Sequence, residues 1–329
     1  MHNGEGTMTI SNKNSAGALL RVFATLGLIL AVAGCATSAP PPIASVKPAA
    51  EQSFAAPDEA VNALVAATRA DDKGKLVKIL GPLSEKLIHS GDKVADREGR
   101  DKFLAAYDKA HELEPNGDDR ATLVVGDEEW PMPIPLVRSG EGWWFDTDAG
   151  DDEILNRRIG RNELNVIEVC RAYVDAQREF AAQHKLGDHK HEYAQRFVST
   201  SGQHDGLYWQ TAEGEAQSPL GPLIAAATAE GYNEKTLDKH TPYHGYFYKI
   251  LTKQGPNSPS GAKDYFKDGH MTRGFALIAF PARYGDSGVM TFIVNRHGIV
   301  FQKNFGPETA KIAGGITAFD PDSGWNVVE

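Results

Sequence analysis

The side chains best suited to chemistry gather in the glycine-bearing connections of the second half of this chain. His204, Asp205, Tyr208 and Trp209 share one short segment, while Tyr243 with His244, and Tyr284 with Asp286 and Ser287, occupy two more. Imidazole and carboxyl groups accept and donate hydrogen bonds or move protons. Aromatic faces beside them suit a sugar or a peptide, and binding residues commonly sit on loops held by a rigid scaffold. These residues are therefore candidate binding positions. A hydrolase using His204 or His244 as general base is the alternative, and it needs an acidic partner within hydrogen-bond reach.

Other chemical patterns stop short of their requirements. Gly285-Asp286-Ser287-Gly288 is the tetrapeptide around some serine nucleophiles, but its flanks offer neither a recognisable base nor oxyanion donors, and a turn between strands explains it. In His191-Glu192-Tyr-Ala-Gln195 a glutamine stands where a zinc helix needs its second histidine. His184, Asp188, His189 and His191 read instead as a solvated helix end, since Gly187 breaks the helical phase. From Asp146, the sixth and twelfth positions that a calcium loop reserves for Gly and Glu are Asp151 and Arg157. Asp151-Asp152-Glu153 instead has the form of an acidic first turn of a helix. Cys170 lies on an apolar helix stripe, as an inert buried thiol does. No cofactor or metal is expected.

The start of the chain reads as an export signal. Lys13 and Arg21 precede the apolar run Val22–Ala33, which is shorter than the ~20 residues that span a bilayer, and Leu30-Ala-Val-Ala-Gly-Cys35 has the form of a lipoprotein processing site. Met8 serves as a start as well as Met1 does. Residues 1–34 are thus expected to be a signal peptide and Cys35 a lipid carrier, since more than one acyl chain is needed for stable anchoring. Ala36 follows the cysteine, where an aspartate resembles an inner-membrane retention signal, so the outer membrane, facing the periplasm, is the expected location. Residues 35–53, rich in Pro, Ala and Ser, form a tether that at ~3.1 Å per residue reaches on the order of 50 Å. The net charge of −10 becomes −11 when residues 1–34, with Lys13, Arg21 and Glu5, are removed, which disfavours nucleic acid as a partner.

The remaining chain must position the candidate loops. Hydrophobic spacing predicts helices from Asp58, over Lys75–Leu80 and over Arg97–Leu113, then strands at Ala121–Val125, Ile134–Arg138 and Trp143–Asp146. Trp130 to Pro135 reads as proline-rich edge packing. A long helix over Asn162–His184 follows, then a short one at Leu223–Glu230 and strands at Tyr246–Thr252, Phe275–Phe280, Val289–Val294 and Ile299–Lys303. Asn295-Arg-His-Gly298 joins the last two as a hairpin. This is an α+β chain with an N-terminal domain over 54–150, helices on a small antiparallel sheet, and a C-terminal domain over 151–329, a long helix on an antiparallel sheet.

Arg157-Arg-Ile-Gly-Arg-Asn-Glu-Leu164, Tyr173-Val-Asp-Ala-Gln177, Asp205-Gly-Leu-Tyr-Trp209, Ser218-Pro-Leu-Gly-Pro222, Pro242-Tyr-His-Gly-Tyr246 and Gly274 to Asn295 resemble the bacterial domain-of-unknown-function 2950 family over essentially the whole mature chain. That resemblance implies an exported protein and carries no catalytic residues. The C-terminal half is also similar to the globular heads of type IV pilins and pseudopilins, although a lipoprotein site replaces their processed leader and hydrophobic helix. The reading is a membrane-tethered envelope lipoprotein acting as a non-catalytic binding or assembly module, with an envelope protein or glycan as partner.

Overall fold

The computed structural model describes residues 52–140, 142–186, 190–233 and 241–328. The signal peptide, Cys35, nearly all of the tether, Asp188 and His189 lie outside them. Helices α1 (Pro57–Arg69), α2 (Lys73–Leu80), α3 (Glu85–Ile88) and α4 (Lys93–Lys109) come first. They are followed by strands β1 (His111–Pro115), β2 (Arg120–Val125), β3 (Trp130–Pro131), β4 (Leu136–Ser139) and β5 (Gly142–Phe145). The strands form an antiparallel sheet in the order β1-β2-β4-β5 with β3 on β2. Helices α1 and α2 pack on β5 and α4 packs on β2, enclosing a core of Val61, Leu64, Ile79, Leu123, Leu136 and Phe145.

Helix α5 (Asp151–Gln183) continues the chain for 33 residues. The expected helix over 162–184 and the acidic turn before it are one element, its first turn braced by the Glu153–Arg157 pair at 2.6 Å. Two minor strands, β6 (Lys185–Leu186) and β7 (Lys190–His191), pair with each other. After α6 (Gly221–Ala229) come β8 (Tyr246–Leu251), the short β9 (Lys253–Gln254), β10 (Lys263–Asp264), β11 (Phe266–Lys267) and β12 (His270–Met271), then β13 (Ala276–Pro281), β14 (Thr291–Asn295) and β15 (Val300–Lys303). The chain closes with α7 (Thr309–Gly315) and β16 (Asn326–Val327). The main sheet is antiparallel in the order β16-β15-β14-β13-β8, and α5 packs on β13, β14 and β15.

Two local expectations change. The stretch expected to end the third helix at Leu113 is strand β1, because Asn116-Gly117 turns it back onto β2, with Leu113 opposite Leu123. The helix itself starts earlier, at Lys93, where the Asp92 carboxylate caps Val94 N and Ala95 N at 3.1 Å each. In β14 all five residues are buried, so the strand is not covered on one face alone. Adjacent residues of a strand face opposite ways. On β8, Tyr248 enters the core on the α5 side while the Lys249 ammonium donates to Gly314 O at 2.8 Å, at the end of α7. Helix α7 therefore covers the far face, with Lys249 satisfying its last carbonyls.

The asparagine of the hairpin accepts from His297 N at 3.0 Å, as a tight turn between β14 and β15 requires. Gly160, in the first third of α5 and exposed, has open space where a Cβ would stand. Gly160→Ala is expected to raise stability by about 0.5–1 kcal/mol, read from the urea unfolding midpoint, by limiting the unfolded chain. Among the described residues, no helix is long and apolar enough to cross a membrane.

Candidate functional site

A cleft of about 320 Å³ opens where α5 ends. Its floor is Phe180 with the His184 imidazole lying flat on it, ring centroids 3.7 Å apart and planes 5° apart. The His184 Nδ1 lies 2.9 Å from Phe180 O, which fixes the ring where the helix terminates. One wall is the segment after β7, carrying Glu192, Gln195 and Arg196. Gln177, buried on α5, holds that segment through its amide: Nε2 donates to Ala194 O at 2.8 Å and Oε1 accepts from Ala194 N at 2.9 Å. The Tyr173–Gln177 motif is thus an anchor for the cleft wall rather than part of a reacting centre.

The opposite wall is the loop holding His204 and Asp205. It folds back on the first wall through Leu207 N to Arg196 O at 3.2 Å, Tyr208 N to Phe197 O at 2.8 Å and Ser199 N to Tyr208 O at 2.8 Å, with Leu207 as its buried plug. Gly206 has to be glycine, because a Cβ there would stand 2.8 Å from the Ser199 nitrogen. The His204 ring stacks on Trp209 at 4.2 Å and 14°, and Trp209 packs on the core behind it. Asp205 accepts from Thr200 N at 2.7 Å and from the Thr200 hydroxyl at 2.8 Å, and faces Arg196 at 3.5 Å. Burial pushes its pKa up, but the Thr200 bonds and Arg196 outweigh it and hold the carboxyl below its usual value. Glu192 meets His270 Nδ1 at 2.9 Å.

The other candidates lie elsewhere, along the seam between the two cores. Tyr243 is buried against Tyr232, and His244 sits with φ +50° and its Nε2 3.4 Å from Glu230. Burial pushes the His244 pKa down and that of Glu230 up. Next to them the buried Asp92 accepts from the Tyr232 hydroxyl at 2.8 Å and from Gly245 N at 2.9 Å. Tyr284 and Asp286 belong to the turn before β14, where Asp286 is 3.7 Å from Arg283 and burial raises its pKa against the pull of Arg283, Arg158 and Lys86. Arg283 donates to His89 O at 2.7 Å, and Arg158 donates to the Lys86 and Leu87 carbonyls. Three family-like motifs meet here: Asn162 donates to Ser287 O at 2.9 Å, and Glu163 accepts from Val289 N and Met290 N at 2.9 Å each. A Cβ on Gly288 would stand 2.0 Å from the buried Tyr246 hydroxyl, so the chain leading into β14 passes there only as glycine.

Ser287 is fully buried, its hydroxyl donating to Arg283 O at 3.1 Å and accepting from Arg283 N at 3.0 Å, which is local turn bonding. Asp151 pairs with Lys86 at 2.5 Å and Glu153 with Arg157, so two of the three carboxylates in the first turn of α5 are held in ion pairs. Cys170 is buried in the core, where loss of solvent pushes its thiol up to about 12. Among the described residues no three His, Cys, Asp or Glu side chains converge as metal ligands.

Of the predicted positions, then, His204, Asp205 and, behind them, Trp209 come together in the cleft, with Tyr208 bridging its wall to Val198. Phe180, His184, Glu192 and Arg196 carry no such mark in the sequence. The Gln177 anchor, spanning 17 positions of sequence, and the bond from Glu192 N to His184 O at 3.0 Å bring Glu192 and Arg196 to them. The fold is an α+β protein with an aromatic-backed, charge-lined cleft at the end of its longest helix. The chain belongs to the DUF2950 family, described as a protein of unknown function, whose model matches residues 51–328. No curated protein and no solved structure matches it, so the likeness to pilin heads gains no support from a known fold.

Proposed function

We propose that the chain is an exported lipoprotein, acylated at Cys35 and held on the periplasmic face of the outer membrane, whose folded part is a cofactor-free binding or assembly module. The observation that carries the binding role is the cleft: two imidazoles, each backed by an aromatic ring, beside Glu192, Arg196 and Asp205. Convergent polar groups over apolar backing are the usual make-up of a ligand site. The partner is an envelope glycan or peptide within reach of the tether, and the acidic chain turns nucleic acid away.

The hydrolase reading draws on His204 and Asp205 standing together at the cleft. Against it, Asp205 is already engaged by Thr200 and Arg196, and the His244–Glu230 pair is largely sealed in the seam. Amide exchange of the full chain in isolated cell envelopes, compared with the chain purified in detergent, tests the module reading. Slower exchange over 199–210 in envelopes, with β14 unchanged, is the expected result; equal rates over 199–210 would contradict it.

A further inference from the structure

We propose that the cleft at the end of α5 takes a saccharide that is neutral or carries an amino group, one sugar ring lying near the His204 imidazole and its hydroxyls meeting Asp205, Arg196 and Glu192. This rests on the binding reading above and narrows it to one ligand chemistry. Three features of the cleft select it.

The first is the make-up of the walls. Extended peptides are recognised chiefly through backbone hydrogen bonds at a free strand edge. Here the two wall segments already pair with each other through main chain, Leu207 N on Arg196 O, Tyr208 N on Phe197 O and Ser199 N on Tyr208 O. The residues that line the cleft carry flat rings, carboxylates that accept hydrogen bonds and a guanidinium that donates them. A sugar hydroxyl does both at once, and its ring presents a C–H face that an aromatic surface covers.

Charge is the second feature. The carboxylates of Glu192 and Asp205 oppose the single guanidinium of Arg196, which is itself turned toward Asp205 at 3.5 Å and Thr200 at 2.8 Å. Even with His270 beside Glu192, an acidic sugar brings a third carboxylate into a space whose arginine is already committed. A hydroxyl or an ammonium group meets acceptors instead.

The third feature is size and rigidity. About 320 Å³ is at the small end of the ~300–1,000 Å³ usual for ligand sites, room for a ring or two rather than a long chain. His204 is exposed but stacked on Trp209, and His184 is stacked on Phe180, so the ring surfaces are set before a ligand arrives.

The test titrates the full chain, purified in a detergent without a sugar headgroup, with N,N′-diacetylchitobiose, the glucosamine dimer, digalacturonate and tetra-alanine, read by calorimetry and ligand-observed NMR. The two uncharged or amino-bearing dimers are expected to bind at least about tenfold more tightly than digalacturonate. His204→Ala and Asp205→Asn, each with an unchanged thermal midpoint, should weaken that binding by about tenfold or more. Digalacturonate binding as well as the others, saccharide binding indifferent to both substitutions, or no saccharide binding at all would overturn the assignment. Tetra-alanine binding lost in His204→Ala, with no sugar bound, would overturn the saccharide and leave the binding module standing. Failure of the binding module is read separately, as unchanged amide exchange over 199–210 in cell envelopes.

Discussion

Asp92→Ala is expected to cost about 3–5 kcal/mol, because one buried carboxylate serves four donors from both sides of the seam. Two are the first amides of α4, whose loss alone is worth ~1 kcal/mol. The others, the Tyr232 hydroxyl and Gly245 N, belong to the second core's side and would be left buried without an acceptor. Tyr232→Phe should remove a single hydrogen bond and cost about 1 kcal/mol. Urea unfolding monitored by tryptophan fluorescence orders the two variants; an Asp92→Ala midpoint equal to that of Tyr232→Phe would mean the seam is not held in this way.

The second large effect is expected at Cys35. Cys35→Ser should move the protein almost entirely from the membrane fraction to the soluble fraction, since the apolar run before it is too short to anchor and stable attachment needs the acyl chains. Labelling with a palmitate analogue should fall to background in the same variant. Label or membrane attachment retained by Cys35→Ser would locate the anchor elsewhere.

How far the chain could be read before its structure was known depends on the distance over which each feature is decided. The strands from Phe275 to Lys303 and the hairpin between β14 and β15 were legible because alternation and turn residues are local signals. The first turn of α4 carries little signal, since Lys93 to Asp96 offers only Val94 as a large apolar marker and its start is set by the Asp92 cap. Strand β1 continues the helical pattern of α4 in sequence, and its pairing with β2, not its own composition, decides its state. α7 left almost no mark, being seven residues of mostly Ala and Gly.

The candidate site divides in the same way. His204, Asp205 and Trp209 are neighbours in sequence, so their meeting was visible. Glu192 and Arg196 reach them through contacts that no spacing rule announces, among them the Gln177 amide on Ala194. Tyr243, His244, Tyr284 and Asp286 have the same composition as the cleft loop yet line the seam, since what separates binding from bracing is the partner across the gap. Asp92, the cap before α4, and Arg158, within α5, brace that seam, and nothing in their neighbours in sequence marks it.

The claim that the folded part works by binding at the cleft is tested most directly by a photo-reactive amino acid placed at Gln195, on the exposed rim of the cleft, in growing cells. Lys311, 85% exposed on α7, provides the control position. The account predicts an adduct with envelope material from position 195 that disappears when His204→Ala is added, and none from position 311. Adducts of equal yield from both positions, or an adduct from 195 untouched by His204→Ala, would contradict it.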